Sequence, residues 1–222
     1  MKLKTIATLF KRNKRLVIYT APNGEQWVCN GVAMYSMRGM PRMTPEIILR
    51  IFDVPPDKHG GWICNESELP PAIDCRDNIG ADDETAIEPL KINIEYFGNN
   101  YWLFPDGRRL YSFNEDYIKP LLDEPDYLTY HKRETMGGGF MLACKVGFEL
   151  KAIIAPMVLH NDKKYMEEIS LIATLYGVMA REKIVNAADE VYGTPNNPPP
   201  PEVDESTGEI IDGQAEFGQE TL

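Results

Sequence analysis

The chain lacks an apolar stretch long enough to span a bilayer, a cysteine pair at redox or metal spacing, and more than three histidines. A membrane-spanning helix needs about 20 consecutive apolar residues, so none is expected and no membrane partner is assigned. The four cysteines (Cys29, Cys64, Cys75 and Cys144) are dispersed, with no C-x-x-C; free thiols of this kind suit a reducing compartment. The short apolar run 6–10 is cut off by Lys11 and Arg12, unlike the longer core of a secretory signal. A cytoplasmic location is therefore expected. There is no G-x-x-x-x-G-K-[ST] loop for phosphates, no H-E-x-x-H helix for zinc and no G-x-S-x-G elbow for a nucleophile. Basic residues also stop early: none follows Lys183.

The residues left over for catalysis are few, and each has a plainer reading. Gly137-Gly138-Gly139 lies between two predicted strands with no helix N-terminus behind it, so it reads as a turn. His59, Cys64 and Cys75 match no common zinc spacing. Asp82-Asp83-Glu84 reads as a solvated acidic loop. Cys144 with His131 would make a nucleophile–base pair on neighbouring strands, but residues 140–144 read first as core. The expectation is a non-enzyme without metal or cofactor.

What the chain does have is an uneven distribution of charge. The net formal charge is −11, yet residues 1–24 hold six cations (Lys2, Lys4, Lys11, Arg12, Lys14 and Arg15) and no acid. Residues 25–183 sum to −8 and residues 184–222 to −9. A basic patch on an acidic chain suits a protein that meets a polyanion with one surface only. The competing reading is a terminal helix with an ordinary wet face.

Periodicity gives a repeated pattern of helix followed by strands. Leu3, Ile6, Ala7 and Phe10 fall at helical spacing. On that helix Lys4, Thr8, Lys11 and Arg15 form one stripe, opposite Leu3, Ile6 and Phe10. Strands are predicted over 15–21, 26–30 and 32–37, with a Pro22-Asn23-Gly24-Glu25 turn and a bulge at Gly31. Thr44 and Pro45 start a second helix over 46–52. An irregular insert follows over 57–86, with short strands at 62–64 and 72–75. Strands are then predicted over 90–97, 101–104 and 109–113. Asn114 caps a third helix over 115–122, followed by strands over 127–133, 140–146 and 149–158. A long helix over 163–186 carries Tyr165, Ile169, Ile172, Tyr176 and Met179 as one apolar seam, against the sheet or a second subunit. The Pro-rich stretch 194–201 and the acid-rich segment 202–222 read as an extended linker and a disordered tail. The expected class is α+β, built from repeated helix-plus-antiparallel-meander units, divided into regions 1–113, 114–190 and 191–222.

In these features the chain resembles the DNA sliding clamp (DNA polymerase processivity factor) superfamily, in a divergent form such as a phage or mobile element encodes. Residues 1–37 are similar to its helix-and-sheet unit, and residues 114–159 are similar again. The segment Leu150-Lys-Ala-Ile-Ile-Ala-Pro-Met157 is similar to the last strand of bacterial clamps, and Asp106-Gly107-Arg108-Arg109-Leu110 to a family hairpin. The resemblance implies a homo-oligomeric ring around double-stranded DNA. Lys4, Lys11, Arg12, Lys14 and Arg15 would face phosphates, and Pro156 and Met157 would border a cleft for a DNA polymerase or other replication protein. Three units are found here where clamp subunits hold four or six, and the third helix has Lys119 against Glu115, Asp116 and Asp123. The alternative reading is an oligomeric protein-binding or assembly module of a phage-like element that never touches DNA.

Overall fold

Helix α1 (Leu3–Asn13) opens the chain and buries Ile6, Ala7, Leu9 and Phe10 on one side. It ends where Lys14 takes a left-handed conformation (φ 47°) and its N–H returns to the Phe10 carbonyl at 2.8 Å. Strand β1 (Arg15–Thr20) follows, then a turn through Gly24 (φ +84°), then β2 (Gln26–Cys29) and β3 (Ala33–Ser36). Glycine serves at position 24 because a side chain there would be strained. The predicted bulge at Gly31 is instead part of a second hairpin turn. β2 and β3 pair antiparallel, and Asn30 Oδ1 accepts from the N–H groups of Val32 and Ala33 at 3.0 and 2.9 Å. That side chain supplies acceptors where the ladder stops, which favours a turn over a continuing strand.

We describe a computed structural model, over residues 2–80, 84–106, 109–123, 125–135, 140–157, 167, 169–172 and 174. Helix α2 (Pro45–Ile51) begins after Thr44, as predicted, and buries Ile48 and Leu49. A 3-10 turn (Pro56–Gly61) leads into β4 (Ile63–Glu68), which pairs parallel with β1. This corrects the purely antiparallel expectation. No strand forms at 72–75; residues 69–80 run irregularly across the sheet. Strand β5 (Glu84–Ile87) pairs antiparallel with a strand far along the chain. β6 (Asn93–Tyr96), β7 (Asn99–Asp106) and β8 (Arg109–Asn114) make a small sheet of their own.

Helix α3 (Glu115–Ile118) is capped by Asn114, whose Oδ1 accepts from the Asp116 N–H at 2.9 Å. The predicted helix over 115–122 is cut to one α turn and a 3-10 turn (Lys119–Leu121). Pro120 has no N–H to continue the ladder. Then come β9 (Leu128–Glu134), β10 (Phe140–Val146) and β11 (Glu149–Ile154).

The large sheet runs β4-β1-β2-β3-β11-β10-β9-β5. Its centre is the antiparallel pair β3–β11, with Met34 opposite Ile153. The fold is thus α+β, a large mixed sheet with few helices. The middle pass departs from the expected pattern: its strands leave the sheet, and β4 and β5 from the insert occupy the two ends. One face packs Leu16, Ile18, Val28, Tyr35, Leu142 and Ile154 against the three helices and the small sheet. Phe10 meets Phe52 there edge-on at 5.4 Å, and Phe104 meets Phe113 at 5.4 Å. The opposite face buries Val17, Trp27, Met34, Ala143 and Ile153 beneath residues 69–80, of which Cys75 is buried.

The chain divides into two compact units, Met1–Ile169 and Ser170–Leu222. In the second unit Thr174 Oγ1 donates to the Ser170 carbonyl at 2.9 Å within a helical stretch. Most of the predicted helix over 163–186, and all of the linker and tail, lie outside the described residues. Among the described residues no helix is long and apolar enough to cross a membrane.

Candidate nucleic-acid interface

α1 lies on its apolar side against the sheet, so its polar positions face outward. Lys4, Lys11, Arg12, Lys14 and Arg15 are all exposed. The predicted stripe is shorter than its helical wheel implied. Lys4 and Lys11 share the helix face with Thr8, whose Oγ1 donates to the Lys4 carbonyl at 3.1 Å. The left-handed Lys14 then ends the helix, and Arg15 belongs to β1. Arg15 packs its side chain over Gly31, whose added Cβ would sit 3.4 Å from Arg15 Cδ.

Part of the positive charge is neutralised by the neighbouring helix. Arg12 pairs with Asp116 at 3.0 Å, and Lys2 pairs with Asp123 at 2.5 Å. Lys119 sits 2.9 Å from Asp116 and 3.4 Å from Glu115. Burial opposes ionisation of Asp116, but hydrogen bonds from Lys119 and Arg12 outweigh it and hold the carboxyl below its usual range. Among the described residues no carboxylate lies within 4 Å of the charged ends of Lys4, Lys11, Lys14 or Arg15. Arg15 alternates with Leu16 and Ile18 of the helix-side core and so points to the opposite face of the sheet, which leaves Lys4, Lys11 and Lys14 as the part of the predicted site open to an anion on the α1 side.

Beside the C-terminal end of α1 is a groove of about 500 Å³. Lys11 and Lys14 line it from α1, Lys58 from the 3-10 turn, and Val54, Pro55 and Trp62 give it apolar surface. Asp53 and Asp57 also reach it. The turn is secured by His59 Nε2, 3.0 Å from the Val54 carbonyl oxygen, and by the Trp62 N–H donating to the His59 carbonyl at 3.0 Å. The Lys14 carbonyl accepts from Ile63 N–H at 2.9 Å, which ties the end of α1 to β4. Lys58 and Trp62 escaped sequence reading because the groove joins segments about 50 residues apart in the chain.

Pro156 and Met157 are half-buried where the chain passes from β11 to the small sheet; Met157 N–H donates to the Ser112 carbonyl at 2.7 Å. The two lie far along the chain from the basic residues, on a separate element.

The catalytic alternatives come apart on geometry. Cys144 faces the helix side of the sheet and is fully buried, and burial pushes its thiol far above the ordinary range. His131 pairs with Ala143 and so faces the other side, where Nδ1 lies 3.3 Å from Glu84 Oε1. Cys64 and Cys75 are likewise on opposite faces. No group of metal-ligating side chains occurs among the described residues. Gly137–Gly139, Asp82 and Asp83 lie outside the described residues.

Glu84 corrects the solvated-loop reading. Its side chain is 7 % exposed and accepts from Arg133 Nε at 2.7 Å and from Lys145. Arg133 Nη1 and Nη2 donate to the carbonyls of Asp74 and Arg76 at 2.6 and 2.7 Å. Nearby, Arg38 pairs with Glu25 at 2.7 Å and Asp77 at 2.8 Å, and Asp77 Oδ1 accepts from Leu150 N–H at 2.9 Å. This charged clasp fastens residues 74–78 over the sheet. Every donor has an acceptor, so the cluster reads as structure, not as a reactive centre.

The chain matches no known protein-family model, no curated protein and no solved structure, so its function rests on this geometry.

Proposed function

We propose that the protein is a non-enzymatic DNA-tethering protein of the sliding-clamp type, contacting duplex phosphates through α1. One observation carries the reading. α1 precedes the meander β1-β2-β3, α3 precedes the meander β9-β10-β11, and the two meanders join antiparallel through β3 and β11. Two short helices thereby share one face of a continuous sheet, with Lys4, Lys11 and Lys14 turned outward on that side. Phosphates attract such cations without any reading of bases, through Coulomb attraction and counterion release. β4 and β5 stand at the two ends of the sheet. Edge strands carry unpaired backbone groups, and pairing between copies through them would close a ring. Pro156 and Met157 would then border the partner site for a polymerase.

The test replaces Lys4, Lys11 and Lys14 together by Glu and measures retention on circular against linear duplex. Retention on circular DNA by the parent and its loss in the triple variant is the expected result; unchanged retention refutes the reading. Light scattering at high concentration tests the ring, and a monomer there counts against it.

A second reading, an assembly module without DNA contact, draws on α2. Ile47 and Ile51 lie one helical turn apart and are 43 % and 45 % exposed. Substituting both with Glu would dissociate an assembly built on them and leave a DNA-held ring intact.

A further inference from the structure

We infer that the groove between α1 and the 3-10 turn is a binding site for single-stranded nucleic acid. A duplex held by phosphates alone needs only outward cations. This groove offers something different: three lysines from two separate segments, Lys11 and Lys14 from the end of α1 and Lys58 from the 3-10 turn, share its lining with the half-buried Trp62. Its volume of about 500 Å³ lies within the roughly 300–1,000 Å³ usual for ligand sites. An aromatic ring lining a groove with several cations is a combination that suits an unpaired strand: a base would stack on the ring while the flanking phosphates meet the lysines. A base inside a duplex cannot reach such a face. Asp53 and Asp57 also line the groove, so three cations stand against two carboxylates. A strand bearing one charge per phosphate fits that balance, and a densely acidic peptide without rings gains nothing from Trp62. Of the three non-glycine residues with positive φ among those described (Lys14, Asp53 and Phe97), two line this groove. The inference shares Lys11 and Lys14 with the duplex reading above and rests on it only for their availability.

The experiment uses the full chain and a 15-mer of oligothymidine, a 15-base-pair duplex and heparin as three probes at low salt, followed by anisotropy and by tryptophan fluorescence. The expected result is binding of the 15-mer with quenching of tryptophan emission. Trp62→Leu should weaken it by about ten-fold, from the loss of one stacked base. Trp62→Phe should restore most of the affinity, and Lys58→Glu should weaken it at least as much as Trp62→Leu. Trp62 also packs against the core, so each variant is first checked for an unchanged circular dichroism spectrum, and the Phe variant keeps the test open if the Leu variant unfolds. Duplex binding with no preference for the 15-mer, and no effect of either Trp62 variant, overturns this inference and leaves the duplex reading standing. Binding of the 15-mer without the duplex does the reverse. Heparin bound as tightly as the 15-mer, with the same indifference to Trp62, reduces the groove to a charge patch and also overturns the inference.

Discussion

The two helix-led meanders follow one plan and put their cations to different uses. In the first, α1–β1–β2–β3, Lys4, Lys11 and Arg12 sit on the helix, Lys14 ends it, and all four face outward. In the second, α3–β9–β10–β11, the helix carries Glu115 and Asp116, while Arg133 and Lys145 are buried beneath the strands against Glu84. The same residue types therefore serve different ends. Cations on the first meander are available to a ligand; those under the second are already satisfied by a carboxylate and backbone carbonyls, and hold a loop in place. Charge counted along the sequence cannot separate these roles, because the partner of Arg133 is 49 residues away.

The largest effect should follow from removing a buried cation of the second meander. Arg133→Met leaves Glu84 with less compensation and strips the carbonyls of Asp74 and Arg76 of their donor. Breaking one partner out of a buried pair costs about 3–5 kcal/mol, readable as a fall in urea midpoint. Removal of Lys11 from α1, an exposed cation, should change stability by less than about 0.5 kcal/mol. Equal losses at the two positions would erase the comparison.

Acid should act next. The Arg38 hydrogen bond holds the Glu25 carboxyl low; for Asp77 burial works the other way, but Arg38 and the Leu150 N–H outweigh it. Both folded values are depressed, so these groups add stability above their unfolded values near about pH 4. That stability is lost as pH falls through the lower folded values. Arg38→Met should therefore be destabilised at pH 7 and show a shallower further loss below about pH 4 than the parent, measured by thermal melts across pH 2–7. A parallel acid limb in both proteins would show that Arg38 does not govern the clasp.

Much of this was legible from residues alone, and what was not has a common cause. α1 and its buried side followed from Leu3, Ile6, Ala7 and Phe10; the Asn114 cap and the strands of the third pass followed from local chemistry. The α+β class followed with them. The parallel β1–β4 pair, the separate small sheet and the Glu84 cluster did not, because each depends on which distant strand comes alongside. At the candidate site, the exposure of Lys4 and Lys11 was predictable from the amphipathic helix; the placing of Arg15 on the same stripe was not right, because the helix stops at Lys14 and Arg15 opens a strand. The pairing of Arg12 with Asp116 and the approach of Lys58 and Trp62 are tertiary facts with no local signal. Pro120 is an instructive case in between: its effect on α3 was readable in principle from the missing N–H.

Lys14 gives a smaller effect with two signs. A left-handed residue with a side chain costs roughly 1 kcal/mol that glycine avoids. Lys14→Gly should raise the melting temperature slightly or leave it unchanged, while weakening binding of the 15-mer and of duplex. A variant that is more stable and binds less well would mark Lys14 as a position kept for its charge. Unchanged binding would make it an ordinary helix end.

The smallest expected change in stability tests whether the two meanders interact through charge. Asp116→Asn removes the acid that holds both Arg12 and Lys119. The pair is at the surface, with Arg12 55 % exposed, and such pairs contribute about 0–1 kcal/mol. The fold should scarcely register its loss. Nucleic-acid binding should, because Arg12 is freed to join Lys4, Lys11 and Lys14, and each added phosphate contact steepens the dependence of log affinity on log salt by about 0.9. The prediction is tighter duplex binding at low salt with a slope steeper by about one contact. If affinity and slope both stay at the parent's values, the second meander's acids do not limit the first meander's cations, and the opposition between the two units is one of position alone.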